Sequence, residues 1–574
     1  MSRWLVPAWA FFLAALALGP SLGPGLVLSY DMSFVPEPTF SWDQLGLGAQ
    51  LPRAVPLDAV TTAASWLVTA SVVQKAALVG GLVAAGWGSA RLVESLPVGA
   101  RLVAVTVAVW NPYVAERLVL GHWGLLLAYG ALPWLVRSLL LGPGGSLPLT
   151  VVQLGVCALT PTGGLLSLAV LAVAWTRAGG SETRRHLLVT GLAWLLVNAP
   201  WWLPGLLRGG STVVDPASVE AFAVRPEVPG GLLPTVLGLG GIWNAEVVLA
   251  SRSSPLAVAS LGVLLALALV GSRRCWRSDR GATARLALLA GIGLVLALLG
   301  AVPGTSALLE WLVAEVPGLG LLRDGQKFLA LAVPCLVVLV ATGADEARVR
   351  LGSAGGQVVV AGAVLLPVAL LPDLAWGAGG RLEATSYPAA WAEVREAVAG
   401  ERAPGDLLLL PWSAFRAYRW NDDRTVLDPA RRAFPRRVLG DDRLAIGTTV
   451  LASEDPRSRA VLQALRRDQL DAGRLRDLGV RLVLVQDGQP GQPRSSTARP
   501  RGTTALVRTP ELRLLRVSGP VHRVARPVGP TGTVAVVAFD VLALAVVAGA
   551  ALAAVIGRRR RDATESTRSR ETHW

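Results

Sequence analysis

Apolar runs long enough to span about 30 Å of hydrocarbon recur along this chain, separated by short polar or glycine- and proline-rich breaks. Their spacing predicts about twelve membrane crossings, at about 5–27, 74–93, 101–114, 121–140, 148–160, 163–176, 187–206, 255–271, 285–302, 327–343, 356–373 and 533–556. The pieces at 148–160 and 163–176 are short and are broken by Pro161-Thr-Gly-Gly. The turn joining the third and fourth crossings is expected at Ala115–Leu118. The segment 58–73 is moderately apolar but short, which suits a helix lying at the membrane surface or a re-entrant piece.

Between about 375 and 532 the pattern changes. WAEVREAV has helical periodicity, GDLLLLPW is a buried-strand run after a turn, SRAVLQALRRDQLDAGRLRDLG is helical, and VRLVLVQDG and RTPELRLLRV read as strands. QPGQPRSSTARPRG is a loop. The fold class is therefore a polytopic α-helical membrane protein with an extracytoplasmic α/β domain. It divides into a multi-spanning part (1–374), the α/β domain (375–532), a last transmembrane helix (533–556) and a basic tail (557–574).

Composition agrees. Of 574 residues 52% are hydrophobic and 16% charged, where a soluble domain carries nearer a quarter. The net charge of +15 could suggest a nucleic-acid partner, but its placement argues otherwise. With twelve crossings, both termini and the loops RAGGSETRRH, SRRCWRSDRGATAR and ADEARVR fall on one side together with Arg558–Arg561. That is the positive-inside pattern of a multi-pass plasma-membrane protein with cytoplasmic termini. The N-terminal run after Arg3 resembles a signal peptide without a clean cleavage site and is expected to stay as the first helix. The three cysteines lie in apolar spans or a basic loop, so no disulfide is expected. No Cys/His metal spacing or phosphate loop occurs. No cofactor is evident, and the sequence gives no support for a divalent metal.

Three clusters face the expected outer side. Asp31 follows the first helix by a few residues, where a carboxylate can meet the head of a lipid-linked substrate and accept a proton from an attacking hydroxyl. Glu37, Asp43 and Asp58 are further acids in that segment. Between the third and fourth crossings lie Glu116, Arg117, His122 and Trp123, polar and aromatic groups at membrane depth. Before the tenth crossing stand Arg323, Asp324 and Lys327. If an α-helix starts there, Arg323 and Lys327 share a face and make a phosphate-binding corner. Each cluster also has a plain reading, as solvated loop acids, an interfacial ion pair with belt aromatics, or cations anchoring a helix end.

The motifs YDMSFVP (30–36), WNPYVAERLVLGHWGLLLAYGALPW (110–134) and LRDGQKF (322–328), with the outer α/β domain, resemble the GT-C superfamily of integral membrane glycosyltransferases. The closest likeness is to the actinobacterial arabinofuranosyl- and mannosyltransferase type. The resemblance implies a polyprenyl-phosphate sugar as donor and a cell-envelope glycan or lipid as acceptor. It also implies inversion at the sugar, with Asp31 as the base. Arg323 and Lys327 would hold the donor phosphate. Glu37, Asp43, Glu116, Arg117, His122, Trp123 and Asp324 would line the substrates. The first outer loop departs from many members in having no tandem acidic pair. A non-catalytic scaffold of envelope assembly and a lipid-glycan flippase are the rival readings. The second is disfavoured because the mid-span residues are almost all Ala, Leu, Val and Gly.

Overall fold

A computed structural model describes residues 2–48, 54–142, 146–208, 215–446, 449–489, 500–522, 524 and 527–571. Most of the loop expected at 489–502 lies outside the described residues.

The membrane part begins with α1 (Ser2–Leu18), a short α2 (Leu57–Ser65) and α3 (Ala70–Leu92). Next come α4 (Val98–Val109), α5 (Pro112–Val119), α6 (Trp123–Val136), α7 (Leu147–Cys157), α8 (Pro161–Ala174) and α9 (Ser181–Leu207). α10 (Pro255–Ser278), α11 (Arg280–Leu298) and the short α12 (Thr305–Glu315) precede α13 (Val333–Leu370). Nine helical stretches among the described residues are long and apolar enough to cross a membrane, which makes this a multi-pass membrane protein.

That number is lower than the expected twelve for two reasons. α7 and α8, at 11 and 14 residues, are too short to qualify. The stretch 325–370 counts once, although the chain folds back on itself at Gly352 (φ +73°), which brings Gly356 against Arg348 and sets Leu336 beside Leu370, so the expected crossings at 327–343 and 356–373 are two arms of a helical hairpin. The expected turn at 115–118 is also displaced. Asn111 caps α5 through its side chain and Pro112 occupies the first helical position, so Ala115–Leu118 are helical and the chain reverses at Leu120–His122.

α4 is apolar apart from Arg101 and Thr106, and from Val103 to Val109 it is enclosed by its neighbours. α10 and α13 cross at Gly271 and Gly343. A methyl on Gly271 would lie 2.0 Å from Leu339 O and one on Gly343 1.9 Å from Leu267 O, so only glycine permits this contact.

The extramembrane part is a small mixed sheet flanked by helices. β4 (Asp406–Leu410), β7 (Val438–Leu439), β10 (Val480–Gln486), β11 (Thr503–Arg508) and β12 (Leu512–Val517) are ordered β11-β12-β10-β4-β7. β4 runs parallel to β7 and β10, and β12 is antiparallel to β10 and β11. Alternation along β4 explains its unbroken leucines. Leu407 and Leu409 pack with Trp391, Val394 and Val398 of the helix Ala390–Gly400, while Leu408 and Leu410 pack with Val461 and Leu475 on the opposite face.

The first loop ties the two parts together. β1 (Leu26–Ser29) pairs antiparallel with β2 (Met32–Ser33) and with β3 (Ala384–Thr385). Gln74 of α3 completes the strand by accepting from Val27 N–H (2.8 Å) and donating to Val27 O (2.7 Å). A hairpin of β5 (Phe415–Ala417) and β6 (Thr425–Leu427) meets the loop at Tyr30, and β8 (Leu444–Ile446) pairs with β9 (Thr449–Leu451) as a separate antiparallel pair.

Candidate functional site

The site is built where the first loop lands on the turn between α5 and α6. Gly121 takes φ +78°, and a side chain there would sit 2.3 Å from both Met32 N and Ser29 O. The bare glycine lets the loop settle. Ser29 Oγ donates to Val119 O (2.7 Å) and Asp31 N–H donates to Leu120 O (3.1 Å). Trp123 is buried with its ring against Phe34 (centroids 4.9 Å apart), pinning the loop from the other side.

Four further side chains then follow Asp31 in a row. Asp31 Oδ2 lies 3.0 Å from His122 Nε2, and His122 Nδ1 lies 2.8 Å from Arg117 Nη1. Arg117 Nη1 is 3.8 Å from Asp324 Oδ2, which lies 2.9 Å from Lys327 Nζ. Asp31, Arg117, Asp324 and Lys327 bring two negative and two positive charges. Arg117 is fully buried, whereas the Asp31 side chain is 47% exposed, so the row opens at its acidic end.

The geometry fixes the state of His122. A guanidinium can only donate, so Nδ1 must accept, and the ring proton sits on Nε2 and is donated to Asp31. Burial pushes the imidazole below its usual range. The cations of Lys327 and Arg117 add to that, and only Asp31 opposes them. His122 is therefore neutral at pH 7, and it orients the carboxylate of Asp31. Burial alone would raise the carboxyl of Asp324, but Lys327 and Arg117 outweigh it and hold it at about 2.

Arg323 and Lys327 do not share a helix face as their spacing leads one to expect. Residues 325–332 wind as a 3₁₀ helix, with three residues per turn. Residues three apart are eclipsed in such a helix, so Asp324 pairs with Lys327, and Arg323 is directed elsewhere, its guanidinium 4.9 Å over the Phe222 ring. Tyr113 Oη donates to Lys327 O (2.8 Å) and steadies this turn.

Glu116 lies behind the row. It accepts from Gln326 Nε2 (2.9 Å) and faces Glu227, which pairs with Arg252 (3.4 Å) and accepts from the N–H groups of Gly241 and Ile242. Glu37 and Asp43 do not join the row. Glu37 pairs with Arg395, and Asp43 lies in a small cleft beside Arg431 and Arg437. Asp58 pairs with Arg432 (2.8 Å).

Sequence reasoning passed over Glu227, Arg252 and Glu246, which lie in the proline- and glycine-rich segment between α9 and α10. No periodicity there marks a buried acid. Tyr30 and Gln326 stood inside quoted motifs without being singled out. Among the described residues no group of three or more His, Cys, Asp or Glu side chains is placed to hold a metal ion. A narrow, largely apolar groove runs between α4, α10 and α13. It is lined by Val107, Trp110, Leu261, Leu264 and Leu336, with Arg252 at its polar end.

No family model and no curated protein matches the sequence. Solved structures do. The cryo-EM structure of the arabinofuranosyltransferase AftD from Mycobacteria matches 91% of this chain and 40% of that chain, with a TM-score of 0.57 and 16% identity. Two classes of a mutant of that protein match with TM-scores of 0.59 and 0.56, at 17% and 16% identity, each covering 91% of this chain and 42% of that one. This chain thus spans well under half the length of the proteins it matches. Over nine tenths of its own length it has the fold of a mycobacterial arabinofuranosyltransferase, in keeping with the resemblance carried by its three motifs.

Proposed function

We propose that this protein is a membrane glycosyltransferase that moves a sugar from a polyprenyl-phosphate donor to a cell-envelope glycan or lipid, on the outer face of the plasma membrane. The observation that carries the reading is the half-exposed Asp31 carboxylate, held by His122 at the open end of a buried charge row that ends at Lys327. Asp31 takes the proton of the acceptor hydroxyl. The hydroxyl oxygen bonds to the anomeric carbon from the face opposite the phosphate. The bond from that carbon to the phosphate oxygen breaks, and prenyl phosphate leaves with the electron pair. Lys327 faces the developing charge, and Arg323, whose guanidinium lies over Phe222, has the lesser part in holding the phosphate. The groove headed by Arg252 suits a prenyl chain because its walls are apolar and lie among membrane-spanning helices. The shared fold with an arabinofuranosyltransferase supports a pentofuranosyl donor. The distribution of arginine supports cytoplasmic termini.

The test is sugar transfer in membranes supplied with radiolabelled prenyl-phosphate sugar. Asp31→Asn should abolish transfer while the amount of folded protein is unchanged. Full transfer by that variant would remove Asp31 from its role, and absence of transfer by the parent chain would favour a scaffold.

A further inference from the structure

Tyr30, immediately before Asp31, has φ +43°, a backbone conformation that bulky residues seldom adopt. Such strain persists where the surroundings over-determine it, and here they do. Tyr30 N–H donates to Thr425 O (2.7 Å), and Tyr30 O accepts from Leu427 N–H (2.7 Å), so β6 of the extramembrane domain grips the residue from both of its backbone groups. Its ring stands edge-on to Phe415 of β5, with centroids 6.4 Å apart. Its hydroxyl donates to Glu246 Oε2 (2.5 Å), whose own backbone carbonyl accepts from Arg381. Both neighbours of Tyr30 are fixed instead to the membrane part, Ser29 through Val119 and Asp31 through Leu120. The handover between the two parts of the molecule therefore occurs one residue from the carboxylate.

We infer that Tyr30 is a positioning residue through which the β5–β6 hairpin sets the aim of Asp31, so that the site is competent only while the hairpin is docked. The catalytic consequence rests on the transferase reading; the positioning itself does not. The physical argument is leverage. Asp31 has one backbone tether to the α5–α6 turn, and a residue in a strained conformation relaxes when its clamp is released, turning the next side chain away from His122.

Two measurements on the full chain test this. The first is cross-linking of an Asp31→Cys, His122→Cys pair by a short bifunctional thiosulfonate, against the same chain without the pair. Leu427→Pro deletes the N–H that reaches Tyr30 O, and Tyr30→Ala, which keeps the hairpin sequence intact, removes the ring. Each should lower the cross-link yield at least threefold. If Leu427→Pro does not fold, Tyr30→Ala decides. The second is kinetic. With Asp31 intact, both variants should lower kcat at least tenfold and leave the donor KM within twofold. Undiminished cross-linking in folded variants overturns the inference, as does a rise in donor KM at constant kcat. If the parent chain transfers no sugar, the transferase reading falls, and the cross-link yield alone still judges Tyr30.

Discussion

His122 lies between Asp31 and Arg117, with Nε2 3.0 Å from the Asp31 carboxylate and Nδ1 2.8 Å from the guanidinium. Because Arg117 cannot accept, protonating His122 would set two N–H groups against each other. The contact therefore works only with a neutral ring.

Replacing His122 with Gln should lower kcat by about 10- to 100-fold, the cost of a misaimed base, with little change in donor KM. Activity of the parent should also fall in acid. The ring is held below its ordinary value, so the unfolded chain binds the proton first as the pH drops below about 6.5. Native stability therefore declines from that point downward, and His122→Gln should lack this part of the decline in a melting profile taken from pH 8 to 5.

Asp324 behaves in the opposite sense. Its carboxyl is held at about 2 against an ordinary 3.8, so its contribution to stability is complete above the ordinary value and disappears as the pH falls toward 2. Asp324→Asn should cost about 2 kcal/mol at pH 7, measured by thermal unfolding in detergent, and the difference from the parent should shrink only below about pH 4. A deficit that instead changes between pH 8 and 6 would contradict this assignment.

Gly121→Ala places a methyl group against Met32 N and Ser29 O in a backbone conformation that disfavours it. The first loop must lift from the α5–α6 turn. Transfer should fall at least 100-fold, while the protein still inserts and purifies as a folded species. Normal transfer would show that the loop's seating is dispensable.

The two cations of LRDGQKF should separate. Lys327→Ala should raise the donor KM about tenfold or more, because Lys327 stays in the charge row with Asp324. Arg323→Ala should have the smaller effect, since its guanidinium rests on Phe222. Equal effects from the two single variants would restore the paired corner that their spacing suggests.

Much of this was legible from the residue pattern. Asp31, Arg117, His122, Asp324 and Lys327 are ionisable groups between apolar runs, and such groups stand out wherever hydrocarbon is the solvent. The strand runs Leu407–Leu410 and Leu482–Val485 are equally plain, because burial on both faces requires unbroken apolar residues. What stayed hidden depends on tertiary partners. Arg323 and Lys327 at a spacing of four suit an α-helix, but the backbone chose the 3₁₀ form, and one residue of register redirected the pairing. Glu227 and Arg252 find each other across a loop with no period. Nothing local announces that Tyr30 meets β6, because its partners stand nearly four hundred residues away.

The seating of β1 has a consequence for biogenesis. Gln74 reaches the strand early in translation, but β3 and β6 leave the ribosome some 350 residues after it. At about 5–20 residues per second, the newly made segment waits roughly 20–70 s with an open hydrogen-bonding edge. For that interval, assembly of the first loop depends on whatever shields the unfinished edge from pairing wrongly.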